Sequence, residues 1–209
     1  MKNLFIKNTK IFKNREKGFT LVELLITIVI FVILTGVTLF NQNGFDNTIL
    51  LKNLAYDIAL TVRQAQTYGV NVKESQIEGK FSSYGVYFDR SINTKSFILF
   101  ADTNKDGKFI TTDMTCPTND LECVQKYSLK RNSYISGLCV GSDDSFCNSN
   151  QVNNLTIYFQ RPDPDANISY NNGTKDISGS YAKITISSAT NSATSSIVVT
   201  GPGQIYIKK

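Results

Sequence analysis

Histidine is absent from all 209 residues. That excludes Ser-His-Asp and Cys-His catalysis and removes the commonest metal ligand. No Cys-x-x-Cys pair occurs either, so a zinc site lacks its usual ligands at their usual spacing. Net charge is also scarcer than it looks. Lys and Arg number 22 against 17 Asp and Glu. Six of those positives (Lys2, Lys7, Lys10, Lys13, Arg15 and Lys17) and one negative (Glu16) fall within the first 18 residues. The remainder carries 16 of each sign and is neutral, so basicity gives no evidence of nucleic-acid binding. It speaks instead to topology. Positive flanks stay cytoplasmic, which places the leader inside and everything after Phe40 outside. No internal repeat is visible.

What the sequence does have is one long apolar run. From Phe19 to Phe40 there are 22 residues with a single charge, Glu23. As a helix this run spans roughly 33 Å, enough to cross a bilayer core. It contains Gly36 but no proline. A carboxylate in such a run is costly and marks a functional site by default. A secretory signal peptide would have an apolar region of only ~7–15 residues followed by a small-residue cleavage site. This run is longer, and no Ala-x-Ala follows it. A plain signal anchor fits the length but gives no reason for Glu23.

The stretch Lys17-Gly18-Phe19-Thr20-Leu21-Val22-Glu23, followed by Leu24-Leu25-Ile26, resembles the class III signal of type IV prepilins and type II secretion pseudopilins. The resemblance implies cleavage between Gly18 and Phe19 by a membrane prepilin peptidase, then N-methylation of Phe19. It also implies that Glu23 serves assembly. In a filament core its carboxylate would meet the amino terminus of a neighbouring subunit's Phe19, in a medium where that attraction is strong. The competing reading of Glu23 is a carboxylate that snorkels to the head-group region.

After the apolar run, Asn41-Gln42-Asn43-Gly44 reads as a polar break. From about Phe45 the helical pattern resumes, with Leu51, Leu54, Ala55, Ile58, Val62 and Ala65 on one stripe and Gly69 at the cap. Beyond it the period changes to two. Strands are expected at Tyr84–Phe88, Ser96–Phe100, Lys126–Leu129, Ser133–Ile135, Asn154–Phe159, Tyr181–Ser187, Ser195–Thr200 and Gln204–Lys208. Arg90 to Lys95 reads as a hairpin loop, and Arg161 to Ser180 as a long surface loop. Ala189–Ser195 and Gly201-Pro202-Gly203 read as turns. The expected organisation is a basic leader over 1–18, a membrane or filament-core helix over 19–40, an amphipathic helix over 41–70 and a β-rich head over 71–209. The fold class is α+β, a long N-terminal helix packed on an antiparallel β head.

This order resembles the H-type pseudopilin and FimT branch of the family. The likeness rests on Leu54-Ala55-Tyr56-Asp57-Ile58 with Val62-Arg63-Gln64-Ala65-Gln66, on Tyr84-Gly85-Val86-Tyr87-Phe88, and on Asp102 to Gly107. An Ile-Val-Val strand, a glycine turn and a final strand complete it.

All four cysteines lie in the part placed outside the cytoplasm, where thiols are oxidised. Four cysteines allow three connectivities. Cys116–Cys123 and Cys139–Cys147 are the preferred pairs, each closing a short loop. In Asp102-Thr103-Asn104-Lys105-Asp106-Gly107, oxygens at positions one, three and five with glycine at six match the start of a calcium loop. Asp113 stands at position twelve, which makes Asp102, Asn104, Asp106 and Asp113 candidate calcium ligands. The alternative is an Asx-rich hairpin turn. Lys208 and Lys209 offer two phosphate contacts. Some FimT-like relatives bind DNA through basic residues near this end, but two contacts give only weak, salt-sensitive binding. A solvated chain end is the preferred reading of both lysines. The carboxylate pairs Asp143-Asp144 and Asp163/Asp165 read as solvated loop charge, and the sequons at Asn154, Asn167 and Asn172 as marks of exposure.

The reading is a non-enzymatic minor pilin or pseudopilin of a type IV pilus or type II secretion pseudopilus. Before assembly it would be a single-pass inner-membrane protein with its head outside the cytoplasm. Its partners would be other pilin subunits, the prepilin peptidase and the lipid bilayer, with DNA as a further candidate. A membrane-anchored, non-polymerising, calcium-dependent adhesin is the alternative from another class, and a DNA-binding minor pilin for uptake the alternative within it.

Overall fold

The structure, a computed structural model, describes residues 18–40, 42–71, 82–109, 111, 113–117, 120–148, 151–171 and 176–208. It divides into two compact units, Met1–Gln42 and Asn43–Lys209. The first holds α1 (Leu21–Phe40), a helix of 20 residues. Thr27, Thr35 and Thr38 each return a hydroxyl hydrogen bond to a carbonyl about one turn back, so these hydroxyls are satisfied within the helix.

The second unit opens with α2 (Gln42–Val70). The helix therefore resumes at Gln42, earlier than the Asn-Gly composition suggests, and Asn41 lies outside the described residues. Leu51, Leu54, Ala55, Ile58, Val62 and Ala65 form the buried stripe expected from their spacing. Gly69 belongs to the last turn of α2, ahead of a cap. A Cβ there would clash with the Phe159 carbonyl, so glycine lets the helix end seat directly on a strand.

Ten strands follow among the described residues: β1 (Ser83–Asp89), β2 (Ser96–Asp102), β3 (Cys123–Ser128), β4 (Tyr134–Gly141), β5 (Asn154–Phe159), β6 (Ala166–Asn171), β7 (Asp176–Gly179), β8 (Tyr181–Ser187), β9 (Thr194–Thr200) and β10 (Ile205–Lys208). They form an antiparallel six-stranded sheet in the order β3-β2-β1-β5-β6-β7 and a four-stranded sheet in the order β10-β9-β8-β4. One apolar core joins the α2 stripe to both sheets, including Val86 and Phe88 of β1, Ile157 of β5, Ile184 of β8 and Ile197 of β9. The class is α+β.

Two expectations need correction. Arg161 to Ser180 is not a single long loop, because β6 and β7 lie within it. In β6 the apolar set Ala166, Ile168 and Tyr170 alternates with Asn167, Ser169 and Asn171. The apolar half is thin, and pairing with β5 makes the strand. The strand expected at Ser133–Ile135 runs on to Gly141, past a register shift between Ile135 and Gly137.

Disulfides join Cys116 to Cys123 and Cys139 to Cys147. Each staples a loop over the outward face of one sheet. The first loop lays Phe109 and Met114 on Tyr87, Ile98 and Phe100, which is why β1 and β2 are buried throughout and not alternately. The second brings Cys139 and Cys147 together with Tyr181 and Val198.

Candidate functional site

The first candidate site is the start of α1. Gly18 and Phe19 precede the helix in exposed coil. Thr20 caps it: its hydroxyl accepts the Glu23 N–H at 3.2 Å, and its carbonyl accepts the Leu24 N–H at 3.1 Å. Thr20 and Glu23 thus hold the positions of a capping box, and Glu23 is the acid of the first turn, where the helix dipole favours negative charge. Glu23 is exposed, as is nearly all of α1. The stretch Leu21–Leu39 has a mean hydropathy of 2.6 and buries none of its surface in the protein, so it is long and apolar enough to cross a membrane.

A methyl group at Gly18 would meet nothing within 4 Å among the described residues. The fold itself therefore does not require glycine there.

Residues 13–39 match the family model of the prokaryotic N-terminal methylation motif. The chain carries a class III, pilin-type signal. Gly18, Phe19 and Glu23 all fall inside the matched segment. No curated protein and no solved structure matches the chain.

In the pilin-type head, the acidic loop after β2 is built by its own hydrogen bonds. Asp102 is buried, and its two oxygens accept the Asp106 N–H at 3.1 Å and the Gly107 N–H at 3.0 Å. Burial pushes its carboxyl above the ordinary value, against the pull of those N–H groups. Asn104 accepts the Asp106 N–H, and Asp106 accepts the Lys108 N–H, each the pattern of an Asx turn. Gly107 takes a φ of +71°, and a Cβ there would sit 2.9 Å from the Tyr158 ring. Glu122, beside the Cys123 staple, holds the loop's start by accepting the Thr103 and Asn104 N–H groups. Asp113 turns to Thr111 and Thr115 instead. The Asx-turn alternative thus accounts for these oxygens. Among the described residues, no three His, Cys, Asp or Glu side chains gather to hold a metal ion.

Lys208 is not a solvated chain end, and Asp144 is not loose loop charge. The Lys208 ammonium donates to Asp144 at 2.7 Å, and Lys183 and the Tyr181 hydroxyl donate to the same carboxylate at 3.0 Å each. These three donors, Lys208 foremost, hold the Asp144 carboxyl below the usual carboxylate range. Lys209 lies outside the described residues. Of the sequons, Asn154 is tied through its amide to the Asn171 backbone, Asn167 is exposed on β6, and Asn172 lies outside the described residues.

Sequence reasoning missed a second row on α2. Ile49, Tyr56 and Leu60 are 42 %, 60 % and 61 % exposed, at spacings of seven and four that put them on one face, opposite the core stripe. The signal was in the sequence, hidden by the stronger stripe beside it.

Proposed function

We propose that this protein is a minor pilin or pseudopilin that moves from the membrane into a helical filament of a type IV pilus or type II secretion pseudopilus. The observation that carries the reading is α1, an unburied apolar helix with a single acid in its first turn, inside the segment that matches the methylation motif. In this reading the peptidase cuts after Gly18 and methylates Phe19. The head lies outside the cytoplasm, because the basic leader stays inside. In the filament core Glu23 pairs with the Phe19 amine of a neighbouring subunit. At ~4 Å and an effective dielectric of ~20 that attraction is about 4 kcal/mol, enough to set helix register. The outward row Ile49, Tyr56 and Leu60 continues the apolar contact along α2. The order of a long helix, an antiparallel head and a closing β9–β10 hairpin supports the H-type pseudopilin and FimT branch. The role is structural and involves no catalysis.

Intact-mass and N-terminal peptide analysis of the protein from native membranes tests the processing. A chain beginning at N-methyl-Phe19 is expected. One beginning at Met1, in cells with active peptidase, overturns the reading. Gly18→Ala should leave the fold intact and block cleavage. Glu23→Ala should be processed normally yet drop out of sheared filaments. Normal incorporation of Glu23→Ala would point instead to an anchored surface protein.

A further inference from the structure

Among the described residues, the two stapled loops leave one part of the sheet surface uncovered and polar. On the outward face of the six-stranded sheet, the first loop covers β1 and β2 and stops at Lys108 and Phe109. Beyond it, β5 and β6 present Thr156 opposite Ser169 and Tyr158 opposite Asn167. These four side chains carry three hydroxyls and an amide. Among the described residues none of them has a hydrogen-bond partner within the protein. Thr156 is only 7 % exposed, yet its hydroxyl is not sealed off from solvent.

Two cavities of about 280 Å³ each lie over these strands, and both are lined by Lys108 and Ser169. One extends to Tyr87, Thr111 and Asn154, the other to Asp106, Tyr158 and Asn167. The two adjoin at Lys108 and Ser169 and make the halves of a shallow groove. Each half is near the lower bound of ligand sites, roughly 300 Å³.

We infer that this groove is a saccharide-binding site. Its free groups are neutral and amphoteric, each hydroxyl able both to donate and to accept, which matches the vicinal hydroxyls of a sugar. The cross-strand pairs put two such groups about 5 Å apart, within reach of adjacent ring hydroxyls. The half-buried Tyr158 adds an aromatic side chain to the lining. A nucleic-acid site would need clustered cations, whereas the groove lining holds one lysine, Lys108, and one carboxylate, Asp106. The Asx turns tie the loop wall from Asp102 to Lys108 to itself, which lowers the ordering cost of binding. The inference is independent of filament assembly.

The test uses the mature full chain in a zwitterionic, sugar-free detergent, titrated by isothermal calorimetry with maltohexaose, cellohexaose and chitohexaose. At least one is expected to bind with a dissociation constant below 1 mM. Asn167→Ala and Ser169→Ala, at partly or fully exposed positions, should each weaken binding at least fivefold while leaving the thermal melt unchanged. Thr156→Val, isosteric with the native residue, should do the same. No binding of any of the three at 10 mM overturns the proposal. So does binding that all three variants leave intact, and so does capture of single-stranded DNA by the groove in place of sugar.

Discussion

At Asp144 one carboxylate gathers Lys208, Lys183 and Tyr181, and so ties β10 and β8 to the loop closed by Cys139–Cys147. Its pKa is lowered in the fold, so the stabilisation it gives is full above the unfolded value of about 3.9 and disappears as pH falls through the folded value. Asp144→Asn should therefore lower the melting temperature at pH 7, and the gap to the parent should narrow steadily between pH 4 and pH 2. A constant gap over that range would mean the contact is not ionic. Asp102 works by a different route. It is buried, and its oxygens accept the Asp106 N–H, which Asn104 shares, and the Gly107 N–H. Asp102→Ala should cost about 2–3 kcal/mol, read by urea denaturation, with or without added calcium. Stabilisation of the parent by calcium alone would reinstate a metal role for Asp102, Asn104, Asp106 and Asp113.

Among the elements, α2 shows two faces of different purpose. Ile58 is fully buried and Leu60 mostly exposed, two residues apart. Ile58→Ala should destabilise the head by about 3 kcal/mol through transfer and cavity terms together. Leu60→Ala should leave the denaturation midpoint within about 0.5 kcal/mol and instead reduce recovery in sheared filaments. Equal effects of both on stability would deny Leu60 an intermolecular role. The core stripe was legible because its 3,4 spacing is dense in Leu, Ile and Val. Strands β5 and β8 were legible to the residue for the same reason, since each alternates β-branched or aromatic residues. Strand β6 was not, because Asn167, Ser169 and Asn171 weaken its pattern and only pairing with β5 orders it.

For the molecule as a whole, the two staples are independent supports on different sheets. Each closes a short loop, of sequence separation 7 and 8. In the chain-entropy account each contributes about 2–3 kcal/mol. Reduction should lower the unfolding midpoint of the head, followed by intrinsic fluorescence of its tyrosines. Replacing Cys139 and Cys147 by Ser together with Asp144→Asn should cost less than the sum of the separate changes, because both hold the same loop. The same pairing with Cys116 and Cys123 should be additive.

The sequence by itself determined the N-terminal half of the account. The proposed cleavage point, the apolar helix and its lone acid are local features of the chain, so no tertiary contact is needed to specify them. It also determined the class, because hydrophobic period depends on neighbours along the chain. Only the tertiary structure decided what the polar residues do. Asp144 lies 64 residues from the Lys208 it binds, and Thr156 meets Ser169 only through strand register. A charge or hydroxyl carries no record in the sequence of which distant partner will satisfy it. That choice is made when the sheets pair and the stapled loops settle over them, covering one stretch of polar surface and leaving another open.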